Sequence, residues 1–144
     1  MPAASAYVDT SVLGAYYCPE ALSAAAERAL RAVETPVIST LTEVEFTSLV
    51  ARKRRLGELT SRQAMDVLEL FQAHVDEGHY RRRSLTAEHF LRARDLIGSL
   101  TTALRTLDAL HLAVTLYEDL PLLTADRDLA RAARRHRART LPLR

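Results

Sequence analysis

Two short apolar runs in this chain end alike. SAYVD (Ser5–Asp9) and PLLTAD (Pro121–Asp126) each close on an aspartate, and a helical stretch follows each. Short apolar runs bounded by turn residues predict buried strands. Strands that alternate with longer helical stretches predict a parallel sheet covered on both faces. In such a sheet the strand ends that would carry Asp9 and Asp126 form the edge at which ligands bind. An aspartate in that place is also a good helix cap, so the rest of the chain must separate capping from chemistry.

The alternation runs through the whole sequence. Ala6–Val8 predicts the first strand, and Val12, Leu13, Tyr16 and Tyr17 predict the helix after it. Ala21–Val33 is helical, and PVIST from Pro36 is a second strand. LTEVEFTSLVARKRRLG is a helix stopped at Gly57. LTSRQAMDVLELFQAHVDEG is another, capped by Thr60 or Ser61, with Met65, Leu68, Phe71 and Val75 on one face and Gly78 at its end. HYRRRSL predicts an edge strand because of its charges. TAEHFLRARDLIG ends at Gly98, and TLDALHLAVTLYEDL is a strongly apolar helix with Thr106 as its N-cap. After PLLTAD come the helix RDLARAARRHR and a peripheral strand in RTLPLR. The expected architecture is α/β, three layers with a central parallel sheet of about four to five strands. No Pro/Gly/Ser-rich linker interrupts the chain, so a single domain over residues 1–144 is expected.

Composition narrows the function classes. Cys18 is the only cysteine, which excludes an internal disulfide and a multi-cysteine zinc site. No basic segment leads into an apolar stretch at the N-terminus, and no apolar run is long enough for a bilayer. A soluble cytoplasmic protein without a membrane partner is the expectation. Net charge is only +2, but RKRR (Arg52–Arg55), RRR (Arg81–Arg83) and RRHRAR (Arg134–Arg139) are dense. Such runs are usually solvated faces, and three in a small chain point toward a polyanionic partner.

Further acids join the two strand-ending aspartates. Projected at about 100° per residue, Glu45 falls with Leu41, Leu49 and Leu56 on an apolar stripe. Glu43 projects the other way with Thr47 and Arg54, although Val50 lies there too. A carboxylate on a core-facing stripe is costly unless it is paired or bound to a cation. Asp108 sits among Leu107, Leu110, Leu112 and Val114, in the first turn of its helix, where the helix dipole favours it. His111 lies at i+3 from it, and a lone His on an apolar helix is most often a hydrogen-bonded core residue. If the first and PLLTAD strands are neighbours, Asp9, Glu45, Asp108 and Asp126 face one cleft. Four carboxylates there cannot all stay ionised without a cation. Oxygen donors call for Mg2+, or Mn2+ in its place. Such a centre activates water for displacement at phosphorus.

YVDTSVL, ISTLTEVEF, TLDALHLAVTL and LLTADRDLARAA also fall in the order and spacing of a known family. The chain resembles PIN-domain ribonucleases, above all VapC-type toxins of toxin–antitoxin pairs. The resemblance covers essentially the whole chain. It implies a metal-dependent endoribonuclease that hydrolyses RNA, a VapB-type antitoxin partner and a homodimer. Carried over by position, it makes Asp9 the first acid and Glu45 the second, because the family's glutamate follows the small apolar residue after LT-x. Asp108 becomes the third and Asp126 the fourth. Thr10, Ser11 and Thr124 match polar positions that line the site. Asp128 matches a less constant one, and whether Glu43 or Asp128 joins the metal shell stays open.

Other functions meet specific obstacles. A haloacid-dehalogenase-like enzyme needs a second Asp where Ser11 stands, and a receiver domain needs an acidic pair and a late lysine. There is no Gly-rich phosphate loop and no GxSxG. Two alternatives remain open: a PIN nuclease in RNA processing without a toxin role, and a non-catalytic module that only binds RNA or protein.

Overall fold

The structure, a computed structural model, describes residues 3–143. Strand β1 (Ala3–Val8) is followed by α1 (Thr10–Tyr17), α2 (Ser23–Arg31) and β2 (Val33–Ser39). Helices α3 (Thr40–Arg55) and α4 (Ser61–Asp76) lead to β3 (Arg81–Arg83). Then come α5 (Ala87–Gly98), α6 (Thr106–Tyr117), β4 (Leu122–Leu123), α7 (Arg127–Arg135) and β5 (Thr140–Leu141). The five strands form one sheet in the order β3-β2-β1-β4-β5. Every pairing is parallel, so all C-terminal strand ends lie at one edge.

Alternate residues of β1 enter different cores. Ala6 and Val8 pack with Val12, Leu13, Phe46 and Phe71 on the α1–α4 side. Tyr7 packs with Val37, Ala109, Leu112 and Leu129 on the α5–α7 side. A strand buried on both faces reads as an unbroken apolar run, which is why Ala6–Val8 stood out. Pro36 lies inside β2, at a level where only β1 pairs with it: β3 joins from Val37 onward.

Several boundaries differ from the sequence expectation. The second helix is shorter, Ser23–Arg31, and Val33 opens β2 three residues before Pro36. A β-branched residue beside a strand already in place gains more from the ladder than from another helical turn. Thr60 and Gln63 cap α4 reciprocally, while Met65 is exposed and Phe71 and Val75 are buried. Arg105, not Thr106, stands at the N-cap of α6. Gly57 and Gly78 follow α3 and α4 with φ of +77° and +79°. Gly98 does not play that part: it is the last residue of α5, and Leu100 takes positive φ.

These two kinds of glycine predict opposite responses. A methyl group at Gly78 meets nothing within 4 Å, so Gly78→Ala bears only the left-handed backbone penalty, about 1 kcal/mol. Gly98→Ala, equally unobstructed but at helical φ, should gain about 0.5 kcal/mol. Urea unfolding of both variants checks the signs.

Candidate metal centre

Asp9 ends β1. Its N–H donates to the Leu123 carbonyl at 3.0 Å, which fixes this strand end beside β4. The side chain makes no cap hydrogen bond to α1, so capping does not explain it. Oδ2 instead accepts from Ser11 Oγ at 2.6 Å and from Thr124 Oγ1 at 2.8 Å. Oδ1 stands 3.7 Å from His111 Nε2. The Ala125 N–H donates to Ser11 Oγ and the Asp126 N–H to Thr124 Oγ1, both at 3.0 Å. The two strand-end loops are thus laced together through the hydroxyls beside Asp9.

Glu45 reaches this place from α3. Its Oε1 accepts from Thr10 Oγ1 at 2.9 Å and from His111 Nε2 in a short hydrogen bond. The helical projection found the residue, but its stripe was rotated: Val50 is fully buried and Leu56 is 61% exposed. Thr42, Phe46 and Val50 form the buried line of α3, and Glu45 flanks it. Glu43 leads away and binds Arg82 at 2.9 Å.

His111, 1% exposed, joins the acids from α6. Nδ1 meets Tyr7 Oη at 2.6 Å, and Nε2 faces Glu45 and Asp9. Asp9, Glu45 and His111 each offer a ligand atom, all within 4.8 Å of one another. Asp108, half-buried one turn before His111, and Asp126 share with Glu45 an open cleft of about 570 Å³. Asp126 also caps α7, its Oδ1 accepting from the N–H of Asp128 and of Leu129. Asp128 turns outward to Arg131 and is 89% exposed. His111 is indeed a packed, hydrogen-bonded residue, yet its bonds run into the acid cluster, a role that spacing alone did not convey. Its position at i+3 from Asp108 was the available signal.

The electrostatics follow from these contacts. Burial alone would raise Glu45, but the hydrogen bond and charge of His111, with Thr10, outweigh it and hold the carboxyl below its ordinary value. Burial alone would lower His111, but Glu45, Asp9 and Asp108 outweigh it and raise the imidazole. Asp108 is raised, first by burial and then by Asp126 and Asp9, against the opposing pull of His111 and Arg105. Crowded carboxylates of this kind form a hard oxygen donor set, which fits a divalent cation.

The PIN domain family profile matches residues 6–135. The chain belongs to the PIN-domain family. Solved structures with the same fold include VapC20 of Mycobacterium tuberculosis, a sarcin-ricin loop cleaving toxin. It is 21% identical, with TM-score 0.69, over 88% of this chain and 93% of that one. A toxin–antitoxin complex from Klebsiella pneumoniae is 19% identical, with TM-score 0.65, over 87% and 90%. VapBC2 from Rickettsia felis, bound to a DNA fragment from its promoter, is 14% identical, with TM-score 0.68, over 95% and 97%. No significant match is found among curated proteins. The expected PIN-like sheet and the expected likeness to VapC toxins are both found. No helix among the described residues is long and apolar enough to cross a membrane.

The shifts predict a pH profile for protein kept in EDTA. A histidine raised in the folded state contributes stability that is full below its ordinary value of 6.5 and is lost as pH rises through the folded value. A lowered glutamate contributes above its ordinary value of 4.5 and loses that as pH falls. The stability gap between wild type and His111→Gln should therefore be largest between these two values and shrink toward pH 9. Asp108 has the opposite sign: raised in the folded state, it costs stability once ionised. Asp108→Asn should stabilise the metal-free protein at pH 7 by up to about 1 kcal/mol, given its half-exposure. Thermal unfolding across pH 5–9 reads both.

Proposed function

We propose that this PIN-domain chain is the cytoplasmic toxin of a toxin–antitoxin pair, a metal-dependent endoribonuclease that hydrolyses RNA phosphodiesters and is neutralised by a VapB-type antitoxin. The observation that carries the reading is the convergence of the Asp9 and Glu45 carboxylates around the His111 donor, the three within 4.8 Å, beside a cleft walled by Asp108 and Asp126, in a fold shared with VapC toxins. The protein acts as one domain and pairs as a homodimer in this reading.

Asp9, Glu45, Asp108 and Asp126 would hold Mg2+, or Mn2+ in its place. When bound, the ion acts as a Lewis acid that lowers the pKa of a coordinated water and offsets charge on the phosphoryl oxygens. The protein's part is orientation. Ser11 and Thr124 fix Asp9, Thr10 fixes Glu45, and the cap at α7 fixes Asp126.

Arginines hold the RNA backbone. Two of the three basic runs are partly engaged elsewhere: Lys53 pairs with Glu20 and Glu58, Arg82 with Glu43, and Arg83 with Glu118. Helix α7 is better placed, since grooves on both of its sides run to Asp126. Arg127 and Arg134 line one groove, Arg105 and Arg135 the other, and Arg131 both. Removing the charge of Arg131 and Arg135 should weaken RNA binding similarly for all sequences. It should also flatten the salt dependence, by about 0.7 of slope per contact for a single strand.

Cleavage of total RNA with and without Mg2+, with mapping of fragment ends, tests the activity. Asp9→Asn or Asp108→Asn should reduce cleavage by orders of magnitude while the protein stays folded. Glu45→Gln should be far more harmful than Glu43→Gln, whose carboxylate faces Arg82. Full activity in both Asp variants would sink the proposal. Titration with an antitoxin segment separates toxin from RNA-processing nuclease: a toxin loses cleavage at saturation.

A further inference from the structure

Behind Glu45 runs a hydrogen-bond chain that leaves α3 and returns to it. Its start is the N-cap of α3, where Ser39 and Thr42 cap each other. Their hydroxyls lie 2.8 Å and 3.3 Å from Tyr7 Oη. Tyr7 Oη meets His111 Nδ1 at 2.6 Å, and His111 Nε2 meets Glu45, one turn along α3 from Thr42. Tyr7, Ser39, Thr42 and His111 are buried, so each polar group must be satisfied within the protein.

The chemistry of each link is fixed by its neighbours. His111 Nε2 faces two carboxylates, so it carries a proton and donates in either protonation state. Nδ1 then either donates or accepts. A tyrosine hydroxyl suits both cases: it accepts from Nδ1–H while donating to Ser39 or Thr42, or accepts from those hydroxyls while donating to bare Nδ1. Among the described residues, both donors to Glu45, Thr10 and His111, use Oε1. A partly buried glutamate is thereby held over the cleft rather than swung to solvent.

We infer that Tyr7 and His111 are positioning residues of the metal centre: His111 Nε2 clamps the Glu45 carboxylate, and the Tyr7 hydroxyl, anchored at the α3 cap, holds the ring. This rests on the metal-dependent reading above. Neither residue is a ligand in it. Partners that orient a ligand typically contribute tenfold to a hundredfold in metal affinity.

The test measures Mn2+ binding directly, from the EPR signal of the free ion, together with kcat and KM for RNA. Tyr7→Phe should weaken Mn2+ about tenfold and leave KM for RNA within about twofold. His111→Gln and His111→Asn then separate positioning from filling. A glutamine amide reaches the place of Nε2 and still donates to Glu45. An asparagine amide reaches only the place of Nδ1. His111→Gln should bind Mn2+ within about threefold of wild type and His111→Asn about tenfold more weakly. Should Tyr7→Phe not fold by circular dichroism, the Gln/Asn pair decides alone. Equal losses in Gln and Asn would mean that the ring itself is required, and wild-type affinity in Tyr7→Phe and His111→Asn would mean that the chain does nothing. Either result overturns the inference while wild type still binds Mn2+ and Asp9→Asn does not. No Mn2+ binding by wild type would overturn the metal reading and this inference together.

Discussion

The burial of Asp9 is the constraint from which the site is built. At 6% exposure a carboxylate loses most of its hydration, and such a loss is tolerated only with hydrogen bonds or opposite charge. Two hydroxyls answer one oxygen and an imidazole stands beyond the other. These partners come from α1, from the loop after β4, and from α6. Satisfying one side chain therefore fixes the relative positions of three elements at one sheet edge. The parallel topology makes this possible, since it brings the ends of β1 and β4 side by side.

His111 gives the cluster its second property. Its buried ring lies between Asp9 and Glu45, and the carboxylates around it favour its protonated form. A hydrogen-bond donor thus stands where the two acids converge, and it ties Glu45 on α3 to α6. Glu45 gains from this group and Asp108 gains little, because Asp126 and Asp9 press on it from the other side. Hydroxyl and imidazole donors orient the Asp9 and Glu45 carboxylates, so the placement of both is built into the packing of the fold.

Much of this was legible in order along the chain, and the parts that were not share a cause. The strand-end aspartates could be found because β1 and β4 are short apolar runs with a polar stop. Glu45 could be found from helix phase even though the assumed stripe included exposed Leu56 and left out Val50. The tertiary surroundings, not the helix, decide which of two adjacent stripes is buried. Tyr7 looked like core filling and His111 like a satisfied core residue, and each is buried as expected. Their pairing spans 104 positions and joins β1 to α6, so no local periodicity reports it. The basic runs differ from one another once they are placed in space. Density in sequence marked 52–55, 81–83 and 134–139, and several charges of the first two runs lie against glutamates close in space. Arg134 and Arg135 of the third run line the grooves beside Asp126 together with Arg127 and Arg131, which belong to no run and join them only once α7 is formed.

The acids of the cluster are not equivalent, and their environments say which one bears the tension. Asp9 is held by Ser11 and Thr124, Glu45 by Thr10 and His111, and Asp126 by the first amides of α7. Each of these groups has its place set by donors of the protein itself. Asp108 is opposed by like charges, and among the described residues it accepts no side-chain hydrogen bond. Its position in the first turn of α6 lets the helix dipole offset part of that repulsion. Removing the charge at Asp108 therefore relieves the fold, whereas removing Asp9 strands two hydroxyls and an amide network built around it. In the proposed metal reading, stability and chemistry therefore pull in opposite directions at Asp108 and in the same direction at Asp9.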